Sequence, residues 1–280
     1  MKALSDKEAF ARLVKALEPY LDTLVFVGGW AHQLYALHEL AQPPDFELLA
    51  TDDADLAAPL WLHARTQSIA ERLRDAGFHE EFRGEDSPPI AEYRLGEEEV
   101  GLYVEFIAPL VGGPVGRDGK PKDTAMVGGV SAQTLRHVDL LLEEPWSVGI
   151  SERLGFPVGP EPVRLRVPNP ASFIAQKLLV LRKRKPEKRA KDLLYIHDTL
   201  LLFGGRLEGL RQSWDAVCGR QHPTLRAKVL DLASAHFAQV DDLVRAAAGI
   251  AAATGRPAPP SPERLAMTCL AGARRLFAAR

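Results

Sequence analysis

Four apolar residues, Leu24 to Val27, run straight into Gly28-Gly29, and helical spacing begins directly after them, within "LVFVGGWAHQLYALHEL" from Leu24 to Leu40. A short run that is apolar throughout and bounded by glycine reads as a strand buried on both faces. Two consecutive glycines at a strand-to-helix junction have two explanations. One is a plain tight turn. The other is a cradle, in which bare backbone N–H groups approach phosphate oxygens at the positive end of a helix.

Around this junction the chain alternates between strand-like and helical text. Ser5 and Glu8 form a capping box ahead of a first helix that ends near Tyr20. A second strand is expected around Phe46 to Leu56, then a helix over roughly His63 to Ala76 stopped by Gly77. Further strands are expected at His79 to Arg83, Ile90 to Leu95, Val100 to Ile107 and Val163 to Val167. Gly112 to Gly129, rich in Gly, Pro and charge, reads as a loop. In "PNP", Asn169 can cap a helix and Pro170 can fill its first position, so the domain boundary falls there: residues 1–167, then a helical domain of residues 168–280.

"ATDDADLA", Ala50 to Ala57, carries the sharpest chemistry. In an extended chain Thr51, Asp53 and Asp55 share one face, with the two carboxylates about 6 to 7 Å apart at the backbone. Such a pair suits two magnesium ions about 3.5 to 4 Å apart. An Asp-rich surface turn is the competing reading. In "LYVEFIA", Tyr103, Glu105 and Ile107 share a face, and an acid inside an apolar run is costly unless it is paired or bound to metal. Glu105 is therefore a candidate third ligand, the alternative being an edge strand with Glu105 in water.

The order of strand, "GGWA", helix, "TDDADL" and a later acidic strand resembles the nucleotidyltransferase superfamily typified by DNA polymerase beta, especially its small bacterial members. The stretch "PNPASFIAQKLLVLRKRKPEKRAKDLLYIHDTL", Pro168 to Leu200, resembles the basic helical segment of bacterial nucleotidyltransferases and of abortive-infection toxin components. The resemblance spans roughly residues 24 to 200. It implies an α+β fold, a small mixed sheet flanked by helices, with a C-terminal helical domain. It implies a transferase that moves a nucleoside monophosphate from a triphosphate such as ATP, using two Mg2+ ions or Mn2+ in their place. Gly28, Gly29 and Thr51 would then hold the nucleotide, and Asp53, Asp55 and Glu105 the metals, with Glu105 as the candidate general base. Lys177 would reach the phosphates, with Lys188, Lys191 and Asp192 in support. Two departures stand out: Leu49 replaces an arginine found in many relatives, and Glu105 replaces the more usual aspartate. A catalytically silent nucleotide-binding or partner-binding module is the alternative they raise.

Composition narrows the remaining choices. A formal net charge of −2 over 280 residues gives no global attraction to nucleic acid or membrane. Any polyanion site must be a local patch, and "RKRKPEKRAK", Arg182 to Lys191, is the one biased segment. It reads as a solvated helix end, or as a contact to nucleotide or RNA phosphates; no interleaved aromatics support base stacking. Lys177 lies beside the apolar Phe173, Ile174, Leu178 and Leu181, so its stem could instead snorkel along that face. The two cysteines, Cys218 and Cys269, offer neither disulfide framework nor zinc site. No signal-like N-terminus or apolar run of about 18 residues is present, so a cytoplasmic location is expected. The acceptor is left open among RNA, protein and small molecule, as is a toxin-type pairing with a partner protein.

Overall fold

Residues 6–42, 44–83, 89–96, 101–116, 119 and 122–278 are described by a computed structural model of the chain. The chain splits into two compact units, the first being Met1–Leu34 with Ala50–Pro168, the second Tyr35–Leu49 with Asn169–Arg280. No helix among the described residues is long and apolar enough to cross a membrane.

The first unit is built on a mixed sheet. Its strands are β1 (Val25–Val27), β2 (Asp53–Ala57), β3 (Phe78–Arg83), β4 (Ile90–Leu95), β5 (Tyr103–Pro109), β6 (Thr124–Val127) and β7 (Val130–Leu135). The order runs β1-β2-β5-β4-β3, with β7 also pairing β5 and β6 pairing β7. β2 lies parallel to β5 and antiparallel to β1, and β4 is antiparallel to β5. Because β2 fills one edge of β5, β4 and β7 share the other: β4 lies along residues 103–105 and β7 along 107–109. A separate antiparallel pair joins β8 (Trp146–Ile150) to β9 (Val163–Val167).

Three helices accompany the sheet: α1 (Asp6–Ala16), α3 (Ile69–Asp75) and the short α4 (Asp139–Leu142). A fourth, α2 (Gly28–Tyr35), follows β1 without a linker. The apolar face of α1 buries Phe10, which stacks on Trp30 at 3.8 Å between centroids and tilts against Phe26 at 5.3 Å. Trp30 is thus a core anchor, 2% exposed. Aromatic contacts of this kind add about 0.5–1.5 kcal/mol to the burial itself.

The second unit is helical: α5 (Pro170–Val180), α6 (Pro186–Leu202), α7 (Leu207–Cys218), α8 (Leu225–Phe237), α9 (Asp242–Ala253) and α10 (Pro262–Phe277). Asn169 caps α5 by accepting from the Ser172 N–H at 2.9 Å, with Pro170 at the first position. The segment Tyr35–Leu49 belongs here through three contacts. Tyr35 meets Phe173 and Phe203 edge-on, Gln42 donates its N–H to Leu202 O at 2.7 Å, and Phe46 stacks under Arg256.

Several expectations need correction. The strand placed at Phe46 to Leu56 forms only as Asp53–Ala57; Phe46 packs in the helical unit instead. The helix over His63 to Ala76 is shorter, because Ser68 and Glu71 make a full capping box that starts it at Ile69. The first helix stops at Ala16, and a 3-10 turn, Glu18–Tyr20, follows around Pro19. Gly112 to Gly129 is not loop throughout, since Thr124–Val127 pairs with β7. Strands β7 and β8 and helix α4 carried too little periodicity to be read. Ser5, Arg117, Asp118 and Lys120 lie outside the described residues.

Candidate functional site

On β2, Ala54 and Leu56 are fully buried while Asp53 and Asp55 are half-buried, and on β5 Val104 and Phe106 are buried while Tyr103 and Glu105 are not. The apolar residues hold one face of both strands against the core, and the pleat then forces the acids onto the other. Register does the rest. Asp55 stands directly opposite Glu105, and Asp53 opposite Tyr103. The three carboxylates predicted from sequence therefore share one face of two adjacent strands.

Gly28 and Gly29 lie against the same edge. Val27 pairs with Asp55, so the chain turns into α2 beside that carboxylate. Gly28 has φ +62, and a Cβ there would sit 2.1 Å from Asp55 Oδ2. A Cβ on Gly29 would sit 2.4 Å from Thr51 Cγ2. Both glycines are required by what they face, Gly28 also by its backbone conformation. Thr51, just before β2, turns its hydroxyl onto Asp53 Oδ1.

The acid face extends further than sequence reasoning saw. Glu92 on β4 stands opposite Glu105, and Glu81 on β3 opposite Glu92. Asp55, Glu105, Glu92 and Glu81 thus form one row across four strands. Glu92 is 1% exposed, and its Oε2 accepts from Arg94 Nη2 at 2.8 Å; Arg94 Nε also reaches Glu81 at 3.1 Å. The Arg94 guanidinium lies over the Tyr103 ring, 5.0 Å from its centroid. Burial, then the fields of Asp53, Glu105, Asp55 and Glu92, push the Tyr103 hydroxyl well above its ordinary pKa, so it remains a protonated donor. The signal for Glu92 and Arg94 was present in "IAEYRL", where opposite charges two apart must share a face of a strand.

Asp55 meets Gly28, and Asp53 lies two residues earlier on the same strand face; carboxylate oxygens are the donors a hard divalent cation takes. Among the described residues no three His, Cys, Asp or Glu side chains are drawn together as a metal shell. The carboxylate oxygens on this face are those of the aspartate pair and, directly opposite Asp55 on the neighbouring strand, Glu105.

In the second unit, Lys177 is 4% exposed and its Nζ lies 2.6 Å from Asp192 Oδ1, between the rings of Phe173 and Tyr195 at 4.9 and 4.8 Å. The other Asp192 oxygen takes Arg184 Nε at 3.1 Å. The Lys177 stem does not snorkel to water; its ammonium is held in a buried ion pair. Lys188 and Lys191 are exposed.

A family model described as nucleotidyltransferase matches residues 6–218. No curated protein matches the chain.

Proposed function

Because this chain belongs to the nucleotidyltransferase family and is a transferase of phosphorus-containing groups, we propose that Asp53, Asp55 and Glu105 perform magnesium-dependent transfer of a nucleoside monophosphate from an NTP to an acceptor. The observation that supports this most directly is the meeting of Asp55 with Gly28 on one side and Glu105 on the other.

The family implies an NTP substrate. The backbone of Gly28 and Gly29 lines the space beside Asp55 where no side chain fits, and there the first N–H groups of α2 can donate hydrogen bonds to triphosphate oxygens. Asp53 and Asp55 would hold the divalent cations, Mg2+ or Mn2+, with Glu105 completing the set. Bound there, the ions supply charge neutralisation at the triphosphate and acidify an acceptor hydroxyl. Thr51 fixes the Asp53 carboxylate through its hydroxyl, so that one aspartate is oriented before substrate arrives. Glu105, an acceptor-only group when ionised, takes the proton of the attacking hydroxyl. Tyr103 keeps its proton in this field and donates a hydrogen bond rather than serving as base.

The test is incubation with each labelled NTP, magnesium and cell extract while following label and pyrophosphate. Wild type should release pyrophosphate, and Asp53→Asn with Asp55→Asn should lower that rate by a factor of about a thousand or more. Equal rates in the two proteins would refute the assignment.

A further inference from the structure

We propose that the acceptor is a nucleic acid, docked by its phosphates on the cationic segment Arg182–Lys191 of the helical unit. This names the acceptor class for the reaction above and rests on that reading.

A near-neutral total conceals a strong separation of charge. The first unit carries 16 Lys and Arg against 25 Asp and Glu, the second 19 against 12. An excess of seven positive charges in one unit gives the long-range attraction to polyanions that the whole-chain figure of −2 seemed to deny.

The positive charge is concentrated and held in place. Arg182, Lys183, Lys185, Lys188 and Lys191 are exposed, with Glu187 the one exposed acid in the segment. Buried Asp192 binds Arg184 and Lys177 at once, fixing the segment from beneath. Arg189 donates Nε to Arg184 O at 2.8 Å and Nη2 to Arg182 O at 3.1 Å, which closes the turn on itself. The chain is thus ordered before binding, and less entropy is lost on contact. No side chain caps α6, so its positive end points into the same region. The field also reaches α8: burial first, then Arg182 and Arg189, hold the His236 pKa down, with Asp241 opposing.

The chemistry favours nucleic acid over other polyanions. The one exposed apolar side chain of the segment is Pro186, too little to enter a lipid surface, and no aromatic residue is there to stack a base, which leaves phosphate contacts as the mode of binding. A nucleic-acid strand supplies both those phosphates and the terminal hydroxyl that nucleotidyl transfer consumes.

The experiment is anisotropy of fluorescently labelled single-stranded RNA, an RNA hairpin, DNA of matching sequence and polyglutamate, bound to the full chain in EDTA over a salt series. Neither NTP nor metal is needed, so docking is measured independently of transfer. RNA or DNA should bind with a steep inverse salt dependence. The variant Arg182→Gln, Lys183→Gln, Lys185→Gln should reduce the logarithmic salt slope by about 2, at roughly 0.7 per phosphate contact on a single strand. NTP binding and the melting temperature should stay as in wild type. Preference for RNA over DNA would assign the sugar, and equality would assign backbone reading alone; both support docking. Polyglutamate binding as tightly as RNA, or a slope unchanged in the variant, would overturn it. Binding retained in a protein that transfers no nucleotide would instead refute the reaction and leave the docking surface standing.

Discussion

Gly28 illustrates how a single residue is fixed by two demands at once. Its φ of +62 disfavours any side chain, and the space a Cβ would need is held by Asp55. Gly28→Ala should therefore cost about 1–2 kcal/mol in chemical denaturation and weaken NTP binding together with it. Gly29 differs, because its conflict is with a side chain alone: Gly29→Ala should be partly rescued by Thr51→Ala, which removes the Cγ2 2.4 Å away. Additive loss in that double variant would show that the contact is not what excludes alanine. The acids pull the other way. Asp55 and Glu105 face each other as like charges, a destabilising pairing worth up to about 1 kcal/mol. Asp55→Asn should leave stability equal or slightly higher while abolishing transfer, a combination expected of a residue kept for chemistry and not for folding.

Among elements, the junction into α5 was the most readable from sequence: "PNP" gave both the Asn169 cap and the Pro170 start. Asn169 is fully buried, and Asn169→Ala should cost about 1–2 kcal/mol, seen as a lower denaturation midpoint with an unchanged slope. Strands Ile90–Leu95 and Val163–Val167 were equally legible, since alternation over five or six residues leaves little choice of face. Asp53–Ala57 was legible in its acids and not in its length. The text from Phe46 onward has strand-like composition, yet Phe46 is taken by Arg256, whose Cζ lies 4.0 Å from its ring centroid. Local propensity lost there to a cation–π contact supplied by a residue over two hundred positions away.

For the molecule as a whole, the interior of the helical unit depends on a buried ionic centre. Arg256 binds both oxygens of Asp198, at 2.8 and 2.6 Å, and Asp198 also meets His197 at 2.9 Å; all three are buried. Arg256→Met would leave that carboxylate without its main partner and should lower stability by about 3–5 kcal/mol, measured by denaturant titration. Acid should weaken the same unit by a separate route. His236, through burial and its cationic neighbours, and His38, through burial, both sit below the usual 6.5 when folded. The unfolded chain then takes up more protons as pH falls below 6.5, so stability is complete above that value and falls as pH drops from it through the lowered folded pKa values. His236→Gln should flatten that fall, and an unchanged pH dependence would remove His236 from the account. What the sequence determined by itself was local: alternating faces, a strand ending at bare glycine, a capped helix, an acidic pair on one side of an extended segment. Each follows from residues a few positions apart and needs only the geometry of a strand or a helical turn. The tertiary structure alone decided which acid stands opposite which, that Glu92 and Arg94 join the row, that Lys177 is held by Asp192, and that residues 35–49 leave the sheet for the helices. Those depend on register and packing between distant segments, which no local spacing encodes.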